Sequence, residues 1–379
     1  MLIFLNLVLK DQIFISLGSN LGDRLNSIYK ALALIESYPI LIKSISKVYE
    51  TPAWGFESDP FYNACIRLQT KLKPEALLEA LLQIEIKMGR SRSSEKGYSS
   101  RIIDLDLLFY GDKKIFSSEL KVPHPKLHKR NFVLTPLFEI SPKFKHPILH
   151  QTIEQLLKKT SDKSKSIPLS FDLELPPIFK YFPFIAIEGN IGAGKTTLAK
   201  SISKHYNAEL LSESFKKNPF LEDFYKDRKT NALVVENFFL EDRFLNDTNY
   251  WKKQHDIVVS DFSLYKCLVF ASENLNPKEC RIFKKKFDME IKSKKTPNLL
   301  IFLKSSIPRL INNIKIRGRE YEKDIDHDYL EGIEKGYKKL YKQNLPFPVL
   351  IIDVNEADFE NDKNSFNSIL RSIFRSAFL

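Results

Sequence analysis

Phe184-Ile-Ala-Ile-Glu-Gly-Asn-Ile-Gly-Ala-Gly-Lys-Thr-Thr197 is the stretch on which the fold of the second half turns. Phe184–Ile187 reads as a short buried strand. Gly189, Asn190, Ile191, Gly192, Ala193, Gly194, Lys195 and Thr196 then fit G-x-x-x-x-G-K-[ST] without a gap, and a helical pattern starts at about Lys195. Glycines let backbone N–H groups converge on phosphate oxygens, and Lys195 offsets the β/γ charge. Thr196 is placed to ligate Mg²⁺, and the helix N-terminus adds its positive partial charge. The competing reading is an ordinary glycine-rich strand–helix turn, and a Rossmann dinucleotide site is disfavoured because it would not require Lys195-Thr196.

Outward from this turn, Ile257–Ser260, Leu299–Leu303 and Val349–Val354 are short apolar runs separated by helical stretches. That alternation predicts an α/β domain with a parallel sheet flanked by helices. Upstream, Lys158–Ser166 is polar and aperiodic, and Pro168, Pro176-Pro177 and Pro183 follow it. The expected organisation is a domain over 1–158, a linker over 159–181 and a second domain over 182–379. A length of 379 residues suits that division. In the first half, strands are expected at Ile13–Leu17, Tyr62–Leu72 and Ile102–Tyr110, with helices around 24–37 and over Ala76–Met88. The mixture predicts an α+β sandwich.

The 59 Lys and Arg against 47 Asp and Glu leave a net charge of +12. Residues 1–160 hold 23 basic and 16 acidic residues, and the remainder 36 and 31, so the excess is spread evenly. An even excess suits small anionic substrates and argues against a nucleic-acid surface, which concentrates charge in a stripe or tail. Cys65, Cys267 and Cys280 are scattered and odd in number, which excludes a disulfide framework and a Cys/His zinc site. The apolar start at Met1 lacks a basic n-region and a cleavage site, and no apolar run is long enough to span a bilayer. The expectation is a soluble, cytoplasmic protein without a membrane partner.

In the first half, Arg101-Ile-Ile-Asp104-Leu-Asp106 carries the chemistry. On a strand, residues i and i+2 share a face, so Asp104 and Asp106 converge. Two adjacent carboxylates among apolar neighbours call for a cation, and Mg²⁺ carrying phosphates answers the need. On spacing alone, a strand with acidic outward residues is an equal alternative. Arg90, Arg92, Arg101, His124 and Arg130 lie close by in sequence.

Over 183–379 the chain resembles the deoxyribonucleoside kinase family. The resemblance rests on Ile187–Thr197, on Glu213 with Asn218–Tyr225, on Phe238–Arg243, on Arg317-Gly-Arg319 with Glu322, and on Asp353–Phe359. It implies a P-loop kinase fold with ATP, Mg²⁺ and a deoxynucleoside as ligands. It makes Glu213 the base on the 5′-hydroxyl, with Tyr225 and Glu322 at the 3′-hydroxyl, and places Glu236 and Arg243 near the nucleobase. Arg317 and Arg319 would meet the transferring phosphoryl group. Gly189–Thr197 would hold the donor phosphates, Asp353 and Phe359 the adenine, and Asp261 would support the metal beside Thr196. The sequence departs from the family at Phe262, where Arg is usual, at Asn313, often Arg, and at Glu236, commonly Gln. The branch most resembled favours purine deoxynucleosides, and a homodimer through this domain is implied.

From about 12 to 157 the chain resembles hydroxymethyldihydropterin pyrophosphokinase. Leu17–Gly22, Tyr49–Pro52, Gly89–Arg92, Arg101–Asp106, Val122–His124 and Pro136–Glu139 carry the likeness in order. It implies a ferredoxin-like fold in which Asp104 and Asp106 bind two Mg²⁺. Arg90, Arg92, Arg101 and His124 would contact the triphosphate of ATP. Phe61 and Phe132 would sandwich the pterin, and Thr51 and Asn63 would meet its edge. The expected protein is therefore a bifunctional enzyme acting on small molecules. A nucleotide-binding regulatory or dimerising second half is the alternative, and a basic nucleic-acid binder a third.

Overall fold

Register, set by which face of each strand is buried, positions every side chain considered below. The structure is a computed structural model describing residues 12–90, 99–213, 219–226, 228–322 and 325–378. The chain divides into two compact units, residues up to Pro176 together with Leu370 onward, and Pro177–Ile369.

The first unit contains β1 (Ile13–Ser19), α1 (Arg24–Ile35), β2 (Ile40–Ile45), β3 (Tyr49–Thr51) and β4 (Phe61–Thr70). α2 (Pro74–Lys87), β5 (Asp104–Tyr110), β6 (Ile115–Phe116), β7 (Lys121–Val122), α3 (Asn131–Ile140), α4 (Ile153–Lys159) and β8 (Ile167–Pro168) follow. The main sheet runs β5-β1-β4-β3-β8, with β2 also on β4, and all of its pairings are antiparallel. Pro74 takes the first helical position of α2, where its missing N–H costs nothing. Thr152 and Gln155 close a reciprocal capping box on α4.

The core behind β1 and β5 is aromatic. Phe14 and Phe109 each place a ring 4.9 Å from Phe144, and His146 lies edge-on to Phe109. The polar stretch after α4 docks against this same unit. Ile167 and Pro168 pair with Glu50 and Tyr49 of β3. Asp162 accepts from the Asn131 backbone N–H at 2.9 Å, and the Asn131 side chain donates to Ser164 O at 2.6 Å. Tyr29 donates its hydroxyl hydrogen to Asp172 O at 2.7 Å.

The second unit is built from β9 (Phe184–Gly189), α5 (Lys195–Tyr206), β10 (Glu209–Leu211), α6 (Leu221–Lys226), α7 (Arg228–Tyr250) and β11 (Val258–Ser260). α8 (Lys266–Asn274), α9 (Pro277–Glu290), β12 (Leu299–Lys304), α10 (Ile307–Arg317), α11 (His327–Tyr341), β13 (Val349–Asp353) and the start of α12 (Lys363–Ser376), whose residues from Leu370 on count with the first unit, complete the described elements. The sheet order is β10-β11-β9-β12-β13, entirely parallel. β9 is buried at all six positions, as a central parallel strand covered on both faces must be. Its neighbours β11 and β12 follow it in sequence on opposite sides, so the strand order reverses at β9. The crevice at the carboxyl ends of the strands opens at such a reversal. No helix among the described residues is long and apolar enough to cross a membrane.

Phe109, fully buried, and Phe116, 70% exposed, give a direct contrast. Phe109→Ala is expected to lower the free energy protecting the β1 and β5 amides by about 3–5 kcal/mol. Phe116→Ala should change it by less than about 0.5 kcal/mol. Native-state hydrogen exchange on the full chain measures both.

Candidate active sites

The strand register places Asp104 and Asp106 as the sequence predicts. β5 alternates, with Leu105 buried between two partly exposed aspartates, opposite Gly18 and Ser16 of β1. Arg90 donates to Asp104 Oδ1 at 2.7 Å, and Arg101 meets Asp104 Oδ2 at 2.9 Å. Arg130 stands 3.6 Å from Asp106. Desolvation and then the neighbouring Asp104 push the Asp106 carboxyl above its ordinary range, more than Arg130 offsets. The cluster is thus short of positive charge on its Asp106 side, and this oxygen-rich donor set fits Mg²⁺.

The remaining pieces converge on the same pocket, of about 210 Å³. Phe61, Phe132, Thr51, Asn63, Arg90, Arg101 and His124 all line it. Asn63 donates to Thr51 Oγ1 at 2.8 Å, and both side chains are buried. Gly18 is required here, because a Cβ would come within 2.9 Å of Asn63 Oδ1. Asn20 ties the turn before α1 to the arginine segment: its Oδ1 accepts from the Arg101 backbone N–H at 2.7 Å. His124 Nδ1 accepts from Lys126 N–H, so Nε2 carries the hydrogen and can donate to a phosphate. Burial, with Arg130 second, lowers His124 to about 4, keeping it neutral. Arg92 lies outside the described residues.

Two pocket residues, and one acid behind the pocket, escaped the sequence reading. Trp54 and Phe56 join the wall, and Arg130 lies over both Trp54 and Phe132, 5.1 and 5.5 Å from the ring centroids. Glu85, 2% exposed, accepts from the Leu105 N–H at 2.8 Å and from Arg90. The available signal was an acid among the buried positions of α2.

In the second unit, a cleft of about 1120 Å³ opens at the carboxyl ends of β9, β10 and β11. Gly194 adopts φ +90° and abuts the Phe359 ring, 2.7 Å from where a Cβ would stand, so no larger residue fits. Lys195 Nζ donates to Gly189 O and Asn190 O, both at 2.9 Å. Burial, then the charge of Lys266, lowers Lys195 to about 8. Thr196 donates to Asp261 Oδ2 at 2.7 Å, which leaves Oγ1 lone pairs for a metal, so the pair fits Mg²⁺. Asp261 Oδ1 accepts from the Glu213 N–H at 2.8 Å, tying base and metal positions together.

Glu213, Tyr225, Glu236, Arg243, Arg317, Arg319, Glu322 and Phe359 line this cleft, as do Ile191–Thr197. Glu213 is held by Arg243 and by Lys266, each at 2.7 Å. Burial would raise the Glu213 carboxyl, but Lys266 and Arg243 together hold it well below the usual carboxylate range. Glu322 binds both Arg317 and Arg319. Glu236 is 2% exposed; its Oε1 accepts from Asn274 at 2.7 Å, and Oε2 has no hydrogen-bond partner among the described residues. Burial raises Glu236 to about 7, against the lowering effects of Asn274 and Arg243.

One expectation changes. Asp353 does not reach the cleft; it accepts from the Asn355 backbone and side chain, and Val354 and Ala357–Asn361 form that wall instead. Arg309, which the sequence reading missed, anchors the wall by donating to Asn355 O and, at 2.7 Å, to Ala357 O. Asn313 donates to Gly192 O at 2.8 Å and so braces the glycine turn from α10.

Both units match known protein families. Residues 14–142 match the family of 7,8-dihydro-6-hydroxymethylpterin-pyrophosphokinase, and residues 185–378 match deoxynucleoside kinase. A 2-amino-4-hydroxy-6-hydroxymethyldihydropteridine pyrophosphokinase of Aquifex aeolicus is 41% identical over 144 residues, 38% of this chain and 88% of that protein. A deoxyguanosine kinase of Bacillus subtilis is 37% identical over 194 residues, 49% of this chain and 94% of that protein. The structure of a deoxyadenosine kinase from M. mycoides with bound dCTP aligns with 51% of this chain and 99% of its own, at 27% identity and a TM-score of 0.44. The chain belongs to two families, the pterin pyrophosphokinases through its first unit and the deoxynucleoside kinases through its second.

Proposed function

We propose that the first unit transfers a pyrophosphoryl group from ATP to 6-hydroxymethyl-7,8-dihydropterin, and that the second transfers the γ-phosphoryl of ATP to the 5′-hydroxyl of a purine deoxynucleoside. The β5-β1-β4 core with β2 and β3 beyond it is read as the ferredoxin-like arrangement. The observation that carries the first activity is the carboxylate pair beside Phe61 and Phe132. The flat pterin fits between the aromatic faces, with Asn63 and Thr51 at its edge. Arg90, Arg101 and the Nε2–H of His124 would hold the phosphates so that the substrate hydroxyl oxygen attacks the β-phosphorus, with AMP leaving. Asp104 and Asp106 would hold Mg²⁺, which supplies charge neutralisation between the phosphates.

For the second activity, the carrying observation is a single cleft that unites Lys195, Thr196, Glu213, Arg317 and Arg319. Phosphoryl transfer is chiefly positioning plus charge stabilisation, and these residues provide both. Thr196 and Asp261 would hold Mg²⁺ there. Purine choice is assigned to Glu236. Ionised, it only accepts, and the adjacent N1–H and N2–H of guanine match its two oxygens. Protonated, it offers one donor and one acceptor, which suits adenine.

Asp104→Asn combined with Asp106→Asn should cut AMP formation with the pterin by more than about 100-fold. Deoxynucleoside phosphorylation should stay near wild type, and Lys195→Ala should give the reverse pattern. Loss of both activities in a folded double variant would refute two separate sites.

The groups facing Glu236 are Asn274 and Lys266 from α8, Arg243 from α7, and Glu213. With its carboxyl near 7, ionisation grows from pH 6 to pH 8. The kcat/KM ratio of deoxyguanosine to deoxyadenosine should therefore rise by up to about tenfold across that range. Glu236→Gln should flatten the profile and favour deoxyadenosine. A pH-independent ratio in the wild type would contradict the assignment.

A further inference from the structure

The side chain at 262 does not serve the phosphate cleft. Phe262 is 3% exposed and lines a separate small cavity with Phe184, Leu211 and Tyr265. Four residues on, Lys266 opens α8 and does enter the cleft. It is 7% exposed, its Nζ lies 2.7 Å from Glu213 Oε2, and its charge is felt at Lys195. Lys266 therefore lines the same cleft as the base and the lysine of the glycine turn.

Glu213 has a cationic donor on each oxygen. Oε1 takes Arg243 Nε at 2.9 Å and Nη2 at 2.7 Å, while Oε2 takes Lys266. A carboxylate capped twice is a poor proton acceptor, so one partner must leave before the 5′-hydroxyl can surrender its proton. Arg243 is fixed: Nη1 contacts Cys267 Sγ at 3.2 Å, and the guanidinium lies 4.5 Å from the Phe239 centroid. Lys266 is a point charge on a flexible four-carbon stem; among the described contacts it has one hydrogen bond, to Glu213, and the Phe270 ring centroid 5.3 Å from Nζ.

We propose that Lys266 is a catalytic cation that moves from Glu213 Oε2 to a non-bridging oxygen of the transferring phosphoryl group. The inference rests on the kinase reading of the second unit. As the 5′ oxygen forms its bond to the γ-phosphorus, the bond from that phosphorus to the β–γ bridging oxygen breaks. ADP leaves with that electron pair, the 5′ proton passes to the freed Oε2, and Lys266 stays protonated throughout. One residue thus both releases the base and supplies charge where it develops.

The test compares Lys266→Met and Lys266→Arg in the full chain, with ATP and a panel of deoxynucleosides. Lys266→Met should lower kcat by about 100-fold, with both KM values within about threefold of wild type. Lys266→Arg should recover at least about tenfold of that loss, because it restores the charge. Unchanged kcat in Lys266→Met overturns the proposal, and so does an equal fall in both variants, which marks a packing role. Should Lys266→Met lose its thermal unfolding transition, Lys266→Gln carries the same comparison. A wild-type chain that phosphorylates no deoxynucleoside removes the kinase reading itself, and this inference with it.

Discussion

Concentrating positive charge in a recessed pocket is the constraint on which both sites depend. Phosphate binding needs several cations together, yet without a phosphate those cations repel one another and lose solvation. The chain resolves this by parking them on carboxylates. Arg90 and Arg101 rest on Asp104, with Glu85 behind Arg90. Arg243 and Lys266 rest on Glu213, and Arg317 and Arg319 on Glu322. Lys195 takes backbone carbonyls instead. These pairs are partly or wholly removed from water, where Coulombic terms are large but so is the cost of an unpaired charge. An arriving nucleotide therefore exchanges one set of negative partners for another instead of creating a charged pocket afresh.

The scaffolds deliver these pairs by unrelated means. In the first unit, strand alternation alone brings Asp104 and Asp106 to one face, and the neighbouring strand supplies Gly18 so that Asn63 can approach. In the second, the carboxyl ends of parallel strands do the gathering: the glycine turn follows β9, Glu213 follows β10 and Asp261 follows β11. The pterin pocket is thus read across a sheet, whereas the kinase cleft is read along its rim.

Much of this was legible in the sequence because it is local. A period of two placed the aspartates, and a gap-free eight-residue pattern placed Lys195 and Thr196. What the sequence hid depends on direction and distance. Phe262 and Lys266 are four residues apart, and only the path from β11 into α8 decides which faces the cleft. Asp353 ends its strand pointing to Asn355, so the following backbone, not its carboxylate, builds the wall. Trp54 lines the first pocket from a loop and Glu85 backs Arg90 from a helix, with no spacing that links either to Asp104.

The stretch after Lys158 reads as loose linker, yet it is part of the wall of the first unit. β8 covers the open edge of β3, whose last residue, Thr51, holds Asn63. Asp162 and Ser164 grip Asn131, immediately ahead of Phe132. Severing the polypeptide at 158 would strip an edge strand and unseat one jaw of the aromatic slot. The first unit runs on to Pro176 and also takes in Leu370 onward, so no single cut of the chain separates the two units.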